Sequence, residues 1–472
     1  MNQKVNLFIK KTSYALSSNV VSLFVSILTV LIFPKVLGIE GYSLFQLYIF
    51  YCSYVGIFHF GFNDGIYLRL GGQEYREIDK KEFHNQLIVL VLSQLFFGFI
   101  LLIALNSFYD EPNKKIIFLA VCISLVIVNI RVMLVYILQA TNKIKEASVS
   151  ILIDRTSFLL ISSFFILFDL RSFKLFILFD LIGKILSLLY AALKTKNIVI
   201  NKFNPTINTI NEIKNNINSG IKMMIANFSN ILIVGNIRFF IERLWSVAIF
   251  GQISLALSIS NLIMVFINSL GIVIFPLLRK IDFKKLAVLY TNLRISLSLF
   301  LFVLLLFYYP SSYIFKLWLP NYKESFIYLS ILFPIIVYEG RTGLLLNTFL
   351  KTIRKESQIL KVNLLSVLIS IAFALIFSFV FKNLTLLVLS ITILLAIRSI
   401  ILELTLSRIL NLNFKKEILL ELIIVVIFIL SNALFIGYIS FSLYLLSLVI
   451  YLLLIKHKVS NSLKFLRIML IK

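Results

Sequence analysis

The chain has 472 residues, of which 60% are apolar and only 14% charged, and its mean hydropathy is +0.99. This balance excludes a soluble globular protein and describes an integral membrane protein. The formal charge of +25 does not imply nucleic acid as a partner, because the basic residues sit mostly in short connectors between apolar runs, where they act as orientation signals.

Lys4, Lys10 and Lys11 precede a first apolar run from about Tyr14 to Val36. It is too long for a signal-peptide core and reads as a retained span, with Asn19 and Pro34 inside it. A second run, about Tyr42 to Phe62, ends at GFNDG with Asp64 at its border, and the basic segment Gly65 to His84 is expected in the cytoplasm. Runs at about 86–106, 116–140, 147–168 and 173–193 complete six spans, giving an N-terminal lobe over residues 1–193. Residues 194–218 form the longest interior connector, in which Ile207, Ile210, Ile213, Ile217 and Ile221 recur at helical spacing after Pro205. It reads either as an amphipathic interfacial helix or as an Asn/Ile/Lys-rich linker.

The second lobe, 219–410, holds runs at about 221–241, 248–276, 290–310, 326–349, 360–381 and 385–406. Two more, about 418–436 and 439–456, lie in 411–472 with a basic tail, making fourteen spans. Lys and Arg concentrate in alternate connectors, including Lys143 with Lys145, Lys194 to Lys214, Arg279 to Lys285, Lys351 to Lys355 and Arg408 to Lys416. This alternation places both termini in the cytoplasm.

A long-range echo joins the halves. Arg131 and Arg341 are 210 residues apart, as are Lys145 and Lys355, Glu146 and Glu356, and Gly41 and Gly251. Such an interval points to a duplicated half rather than a solenoid repeat.

Polar residues inside the spans are the functional candidates, because a charge facing lipid is costly unless paired or exposed to a wet cavity. Arg131 lies about nine residues, roughly 13 Å at ~1.5 Å per residue, from the inner end of its run. Arg341 takes the matching position, with Glu339 on the same helix. Each arginine either lines a polar cavity or joins a structural ion pair. Asp180 and Lys184 form an i,i+4 pair that one helical face can hold, for structure or along a transport path. Asp154 and Arg155 point in different directions, so at least one needs a partner on another helix. Asn227 and Asn230 share a face and either pin helices together or contact cargo.

No phosphate loop, HExxH array or large soluble domain is present in the sequence, and the two cysteines, Cys52 and Cys122, lack metal or redox spacing. Neither catalytic residues, nor a metal site, nor a cofactor is expected.

The chain resembles the polysaccharide-biosynthesis flippases, which move undecaprenyl-diphosphate-linked oligosaccharides, within the multidrug/oligosaccharidyl-lipid/polysaccharide exporter superfamily. The resemblance is carried by LGIEGYSLFQ (Leu37 to Gln46), LQATNKIKE (Leu138 to Glu146), SGIKMMIANFSN (Ser219 to Asn230), FGQISLALSISNL (Phe250 to Leu262), VIFPLLRK (Val273 to Lys280) and the stretch Pro334 to Glu356. It implies an all-α integral membrane fold of two pseudo-symmetric six-helix bundles, as in multidrug and toxin extrusion transporters, plus two C-terminal helices. It further implies alternating access in a bacterial inner membrane. Arg131 and Arg341 would then face a shared cavity and hold the diphosphate, which planar guanidinium groups can engage in a bidentate way.

The implied partners are the lipid-linked glycan, anionic membrane lipids, and a glycan polymerase and glycosyltransferases. Coupling to membrane potential, H+ or Na+ is left open. An ion-coupled multidrug or small-solute antiporter, on the same fold, and a membrane glycan polymerase or ligase are the competing readings.

Overall fold

The computed structural model describes residues 3–278, 283–435 and 437–471, without the side chains of 3–20, 22, 106, 108, 265–278, 283–285, 463 and 465–471. Every regular element among them is helical. Hydrocarbon offers no partner to a free N–H or C=O, so each span must satisfy its backbone internally. The chain divides into two units, Met1–Ile231 and Leu232–Lys472. Part of the connector expected around Arg279 lies outside the described residues.

In the first unit, α1 (Gln3–Cys52) is broken at Gly38, whose φ of 66° is open to glycine at little cost. The first two apolar runs fall on either side of that break. The second run is itself interrupted: a 3-10 turn at Val55–His59 and left-handed Phe60 and Gly61 precede α2 (Phe62–Leu70). Residues 65–70, expected to belong to a connector, are therefore helical, and Asn63, Asp64, Ile66 and Leu70 are buried.

Next come α3 (Lys80–Phe108), whose first turn is capped by the Asp79 carboxylate, and α4 (Pro112–Ala140). They are followed by α5 (Ile144–Leu167), α6 (Phe173–Lys194) and the single turn α7 (Lys196–Val199). Phe33 meets Phe45, Phe158 and Phe176 edge to face between α1, α5 and α6. Toward the other end of the unit, Ile66, Leu87, Leu134, Leu138 and Ile198 form an apolar core.

The interior connector becomes the start of α8 (Ile207–Leu244), a helix that continues without a break into the next apolar run. Ile213 and Ile217 pack on the first unit's core, whereas Ile207 and Ile210 stay exposed. Close approach fixes this half of α8: a Cβ on Gly65 would lie 1.8 Å from the Asn216 carbonyl oxygen, and one on Gly220 would lie 2.0 Å from that of Gly61. Only glycine allows two backbones this near. Polar links complete the attachment, with Arg69 on the Glu212 carboxylate (2.7 Å), Asn216 on Gln86 (3.0 Å) and Thr209 on Glu82 (2.9 Å).

The second unit continues with α9 (Val247–Leu278), α10 (Phe283–Leu305), α11 (Tyr308–Trp318), α12 (Lys323–Leu332), α13 (Ile335–Arg341) and α14 (Asn347–Thr352). The expected run 326–349 is therefore not one straight helix. It bends by 45° between Leu332 and Ile335, where Pro334 removes a backbone donor, and Thr342–Leu346 then form a π-helical turn directly after Arg341. The remaining helices are α15 (Glu356–Leu375), α16 (Leu384–Ile409), α17 (Lys415–Leu434), α18 (Tyr438–Leu454) and α19 (Lys456–Ile471). A second core joins Tyr290, Leu346, Phe349, Leu402, Leu406 and Ile418.

Among the described residues, 11 helices are long and apolar enough to cross a membrane, or up to 13 if each bent pair is one span. The protein is a multi-pass, all-α membrane protein.

Candidate functional site

Within the first unit, α4 and α5 bring Arg131 against Asp154, and the same guanidinium reaches Ser187 on α6 at 3.3 Å. Ser150 and Ser187 hydrogen-bond beside it (2.9 Å). A second ion pair joins Asp180 and Lys184 along α6, as their spacing allows, and Tyr48 of α1 both donates to Asp180 (2.7 Å) and accepts from Lys184 (3.0 Å). Each carboxylate therefore neutralises one cation where α4, α5 and α6 meet.

Arg155 differs. It is exposed and has no hydrogen-bond or ion-pair partner among the described residues, although it is the twelfth residue of the 24-residue α5. Ser148, Arg155 and Ser162 are seven residues apart, so at about 100° per residue they lie within about 20° of one line along the helix. Leu160, Phe164 and Leu167, which are 67%, 55% and 83% exposed, lie about 120–180° round from that line. That stripe is apolar and exposed. Arg155 opens on the opposite side, between two buried serines, and Ser162 Oγ there has no partner among the described residues.

In the second unit, Arg341 is buried and compensated. It contacts Glu403 of α16 (3.0 Å), Glu421 of α17 (2.7 Å) and Ser298 of α10 (3.1 Å). Arg294 of α10 completes the group: its Nε meets Glu403, and its two terminal nitrogens meet the Glu421 oxygens at 3.1 Å each. Two arginines and two glutamates thus form a neutral quartet, each member at most 4% exposed, that joins α10, α13, α16 and α17. A charged group this deep survives only when paired and hydrogen-bonded.

Glu339, expected beside Arg341, instead accepts from Arg398 of α16 at 2.8 Å, and Arg398 also reaches Asn363 (3.1 Å). Residues two apart on a helix point about 200° apart, which separates Glu339 from Arg341. Both arginines singled out from the sequence therefore have carboxylate partners on other helices. Asn227 and Asn230 are exposed on α8.

The sequence reading overlooked Arg294, Arg398, Glu403 and Glu421. All four lie inside or at the border of apolar runs, so the rule that drew attention to Arg131 would have found them. The groove between α17 and α18 is apolar, about 410 Å³, and lined by residues such as Ile424, Leu430, Leu443 and Leu454. No group of metal-ligating side chains occurs among the described residues.

The family model described as polysaccharide biosynthesis protein matches residues 8–282, more than half the chain. Among solved structures, the fold is similar to an inward-facing multidrug resistance MATE family transporter of the MOP superfamily, with TM-score 0.60 and 13% identity over 83% of this chain and 98% of that one. It is equally similar to the lipid II flippase MurJ in an inward closed conformation, with TM-score 0.60 and 14% identity over 95% of this chain and 99% of that one. A MATE protein in complex with MaD5 follows, with TM-score 0.57 and 15% identity over 85% and 96%. A search among curated proteins finds no match. At these identities the structural likeness establishes the fold alone, and the family match covers residues 8–282. The chain belongs to the polysaccharide biosynthesis protein family.

Proposed function

We propose that this transporter moves undecaprenyl-diphosphate-linked oligosaccharide across a bacterial inner membrane, by alternating access of two six-helix lobes with a further helix pair, fourteen spans in all. The observation that carries the reading is Arg155, a cation at mid-span without a partner among the described residues, on the side of α5 opposite the exposed stripe of Leu160, Phe164 and Leu167. An arginine there is tolerable where water or an anion meets it, and its planar donor fork suits a phosphate oxygen pair. Arg131, partly exposed and paired with Asp154, the residue that precedes Arg155, supplies a second guanidinium that the diphosphate would share. Arg341 serves the fold in this reading, since its donors are taken by Glu403, Glu421 and Ser298. The isoprenoid tail stays in the bilayer, and the apolar groove between α17 and α18 is a seat of suitable chemistry for it.

Both termini and the basic connectors face the cytoplasm, where anionic lipids meet them and where glycosyltransferases supply the cargo. A polymerase would consume the product on the other side.

The test is flipping of undecaprenyl-diphosphate-linked oligosaccharide in proteoliposomes. Arg155→Ala lowers the rate tenfold or more, as expected for loss of about 1.5–3 kcal/mol from a charge-assisted contact, with thermal stability unchanged; Arg155→Lys retains part of it. Unchanged flipping by Arg155→Ala refutes the assignment. Absence of flipping by the wild type, together with drug-dependent proton or sodium exchange, would replace the cargo by a small solute.

A further inference from the structure

The break in the second apolar run holds a titratable pair that the cargo reading does not use. His59 and Asp64 are 8% and 4% exposed and flank the turn at Phe60 and Gly61. The Gly61 N–H donates to His59 Nδ1 (3.1 Å), so the neutral imidazole carries its proton on Nε2. That nitrogen lies 3.8 Å from Asp64 Oδ2, and His59 is the only side-chain partner of this carboxylate among the described residues. A buried carboxylate facing a neutral ring is unlike every arginine-paired acid of the spans, because no fixed cation compensates it. It becomes neutral by taking a proton.

The surroundings are polar but hold no competing charge at the pair. From α3, Gln94 donates to the Phe58 carbonyl (3.0 Å), and from α4, Asn129 donates to the Val55 carbonyl (2.9 Å) and to Gln94 (2.6 Å). Asn63 donates to the Asn129 carbonyl (2.9 Å), while Asn63 Oδ1 and Asn129 Oδ1 are buried acceptors without donors among the described residues. Tyr136 of α4 is the titratable group within electrostatic reach of Asp64. Arg69, farther along α2, is taken by Glu212 and Asn216 of α8, and Arg131 of α4 by Asp154. Gly61 and Gly65, on either side of Asp64, make the backbone contacts with α8 at Gly220, Ile221 and Asn216. A change of charge at Asp64 therefore acts at the crossing of α2 with α8.

We infer that the His59–Asp64 pair is a proton-binding site, loaded on the Asp64 carboxylate, through which proton binding controls the α2–α8 joint of the transporter. The site exists independently of the cargo; its use in coupling rests on the transporter reading. In each cycle Asp64 gains one proton and loses it again, with His59 holding its own proton on Nε2.

The experiment titrates the purified full-length protein in lipid and follows the infrared carbonyl stretch of protonated buried carboxyl groups. In the wild type one band titrates with pH; in Asp64→Asn it is absent. His59→Gln, which keeps an acceptor for the Gly61 N–H, moves the titration upward by about one pH unit, because the ring no longer stabilises the carboxylate. In proteoliposomes carrying undecaprenyl-diphosphate-linked oligosaccharide, an imposed pH gradient changes wild-type flux and leaves Asp64→Asn flux unchanged.

A titrating band that persists in Asp64→Asn overturns the site, and an unmoved midpoint in His59→Gln overturns the pairing. If sodium at constant pH removes the band, the ligand is a metal cation and the proton assignment is overturned. Should Asp64→Asn not fold, the His59→Gln shift alone decides. If the band behaves as expected while no protein flips the glycan, the cargo reading has failed and the proton site stands.

Discussion

Replacing Arg341 by alanine tests whether the quartet holds the second unit together. The substitution removes contacts to Glu403 at 3.0 Å, Glu421 at 2.7 Å and Ser298 at 3.1 Å. Arg294 is then left against two carboxylates, a surplus negative charge among groups that are at most 4% exposed. Breaking a buried pair from one side costs about 3–5 kcal/mol, since the remaining charge is uncompensated. The apparent melting temperature in detergent should fall by about 10 °C, taking about 2–4 °C per kcal/mol. Glu421→Gln alone leaves a surplus positive charge, a loss of similar kind. The double variant restores neutrality around Arg294 and Glu403, so its loss should be smaller than the sum of the single losses by about 1–3 kcal/mol. Melting curves of the four proteins, followed by tryptophan fluorescence or thiol labelling, measure this coupling. Wild-type stability in Arg341→Ala, or strictly additive losses, would refute the argument. Retained stability with abolished transport would return Arg341 to the cargo path.

Gly65→Ala places a methyl group 1.8 Å from the Asn216 carbonyl oxygen, so it should destabilise the first unit by about 3 kcal/mol or loosen the α2–α8 crossing; protease sensitivity near Thr206 measures either, and wild-type resistance and melting would contradict the packing. Asp154→Asn leaves Arg131 without its carboxylate, and should lower the melting temperature while strengthening inorganic diphosphate binding measured by calorimetry; unchanged values for both would show the pair to be inert. In a background lacking Cys52 and Cys122, a cysteine at Asn208 should be labelled only after the membrane is permeabilised, and labelling from outside would invert the proposed orientation.

Much of the architecture was readable before any coordinates. A run of about 20 apolar residues is the only solution a bilayer accepts for a single crossing helix, so α3 to α6 and α15 to α18 fall where the hydropathy placed them. The Asp180–Lys184 contact was equally local, because one turn of helix brings the two side chains together. Apolar content says nothing, however, about the turn at Val55–His59 or the size of the bend before Ile335, since both lie within apolar runs, although Pro334 marks the place of the second.

The partners of the arginines were set by tertiary structure alone. Asp154 is 23 residues from Arg131, and Glu403 is 62 from Arg341, and a carboxylate so far along the chain cannot be assigned from spacing. Glu339 looked close because it is near in sequence, yet its side chain leaves the helix on another side and meets Arg398. Sequence therefore determined that charges stand inside the membrane and must be compensated, because desolvation is a property of each residue. Only the tertiary structure decided which of them neutralise one another and that Arg155 is left over, because Coulomb and hydrogen-bond energies depend on distances that the fold creates.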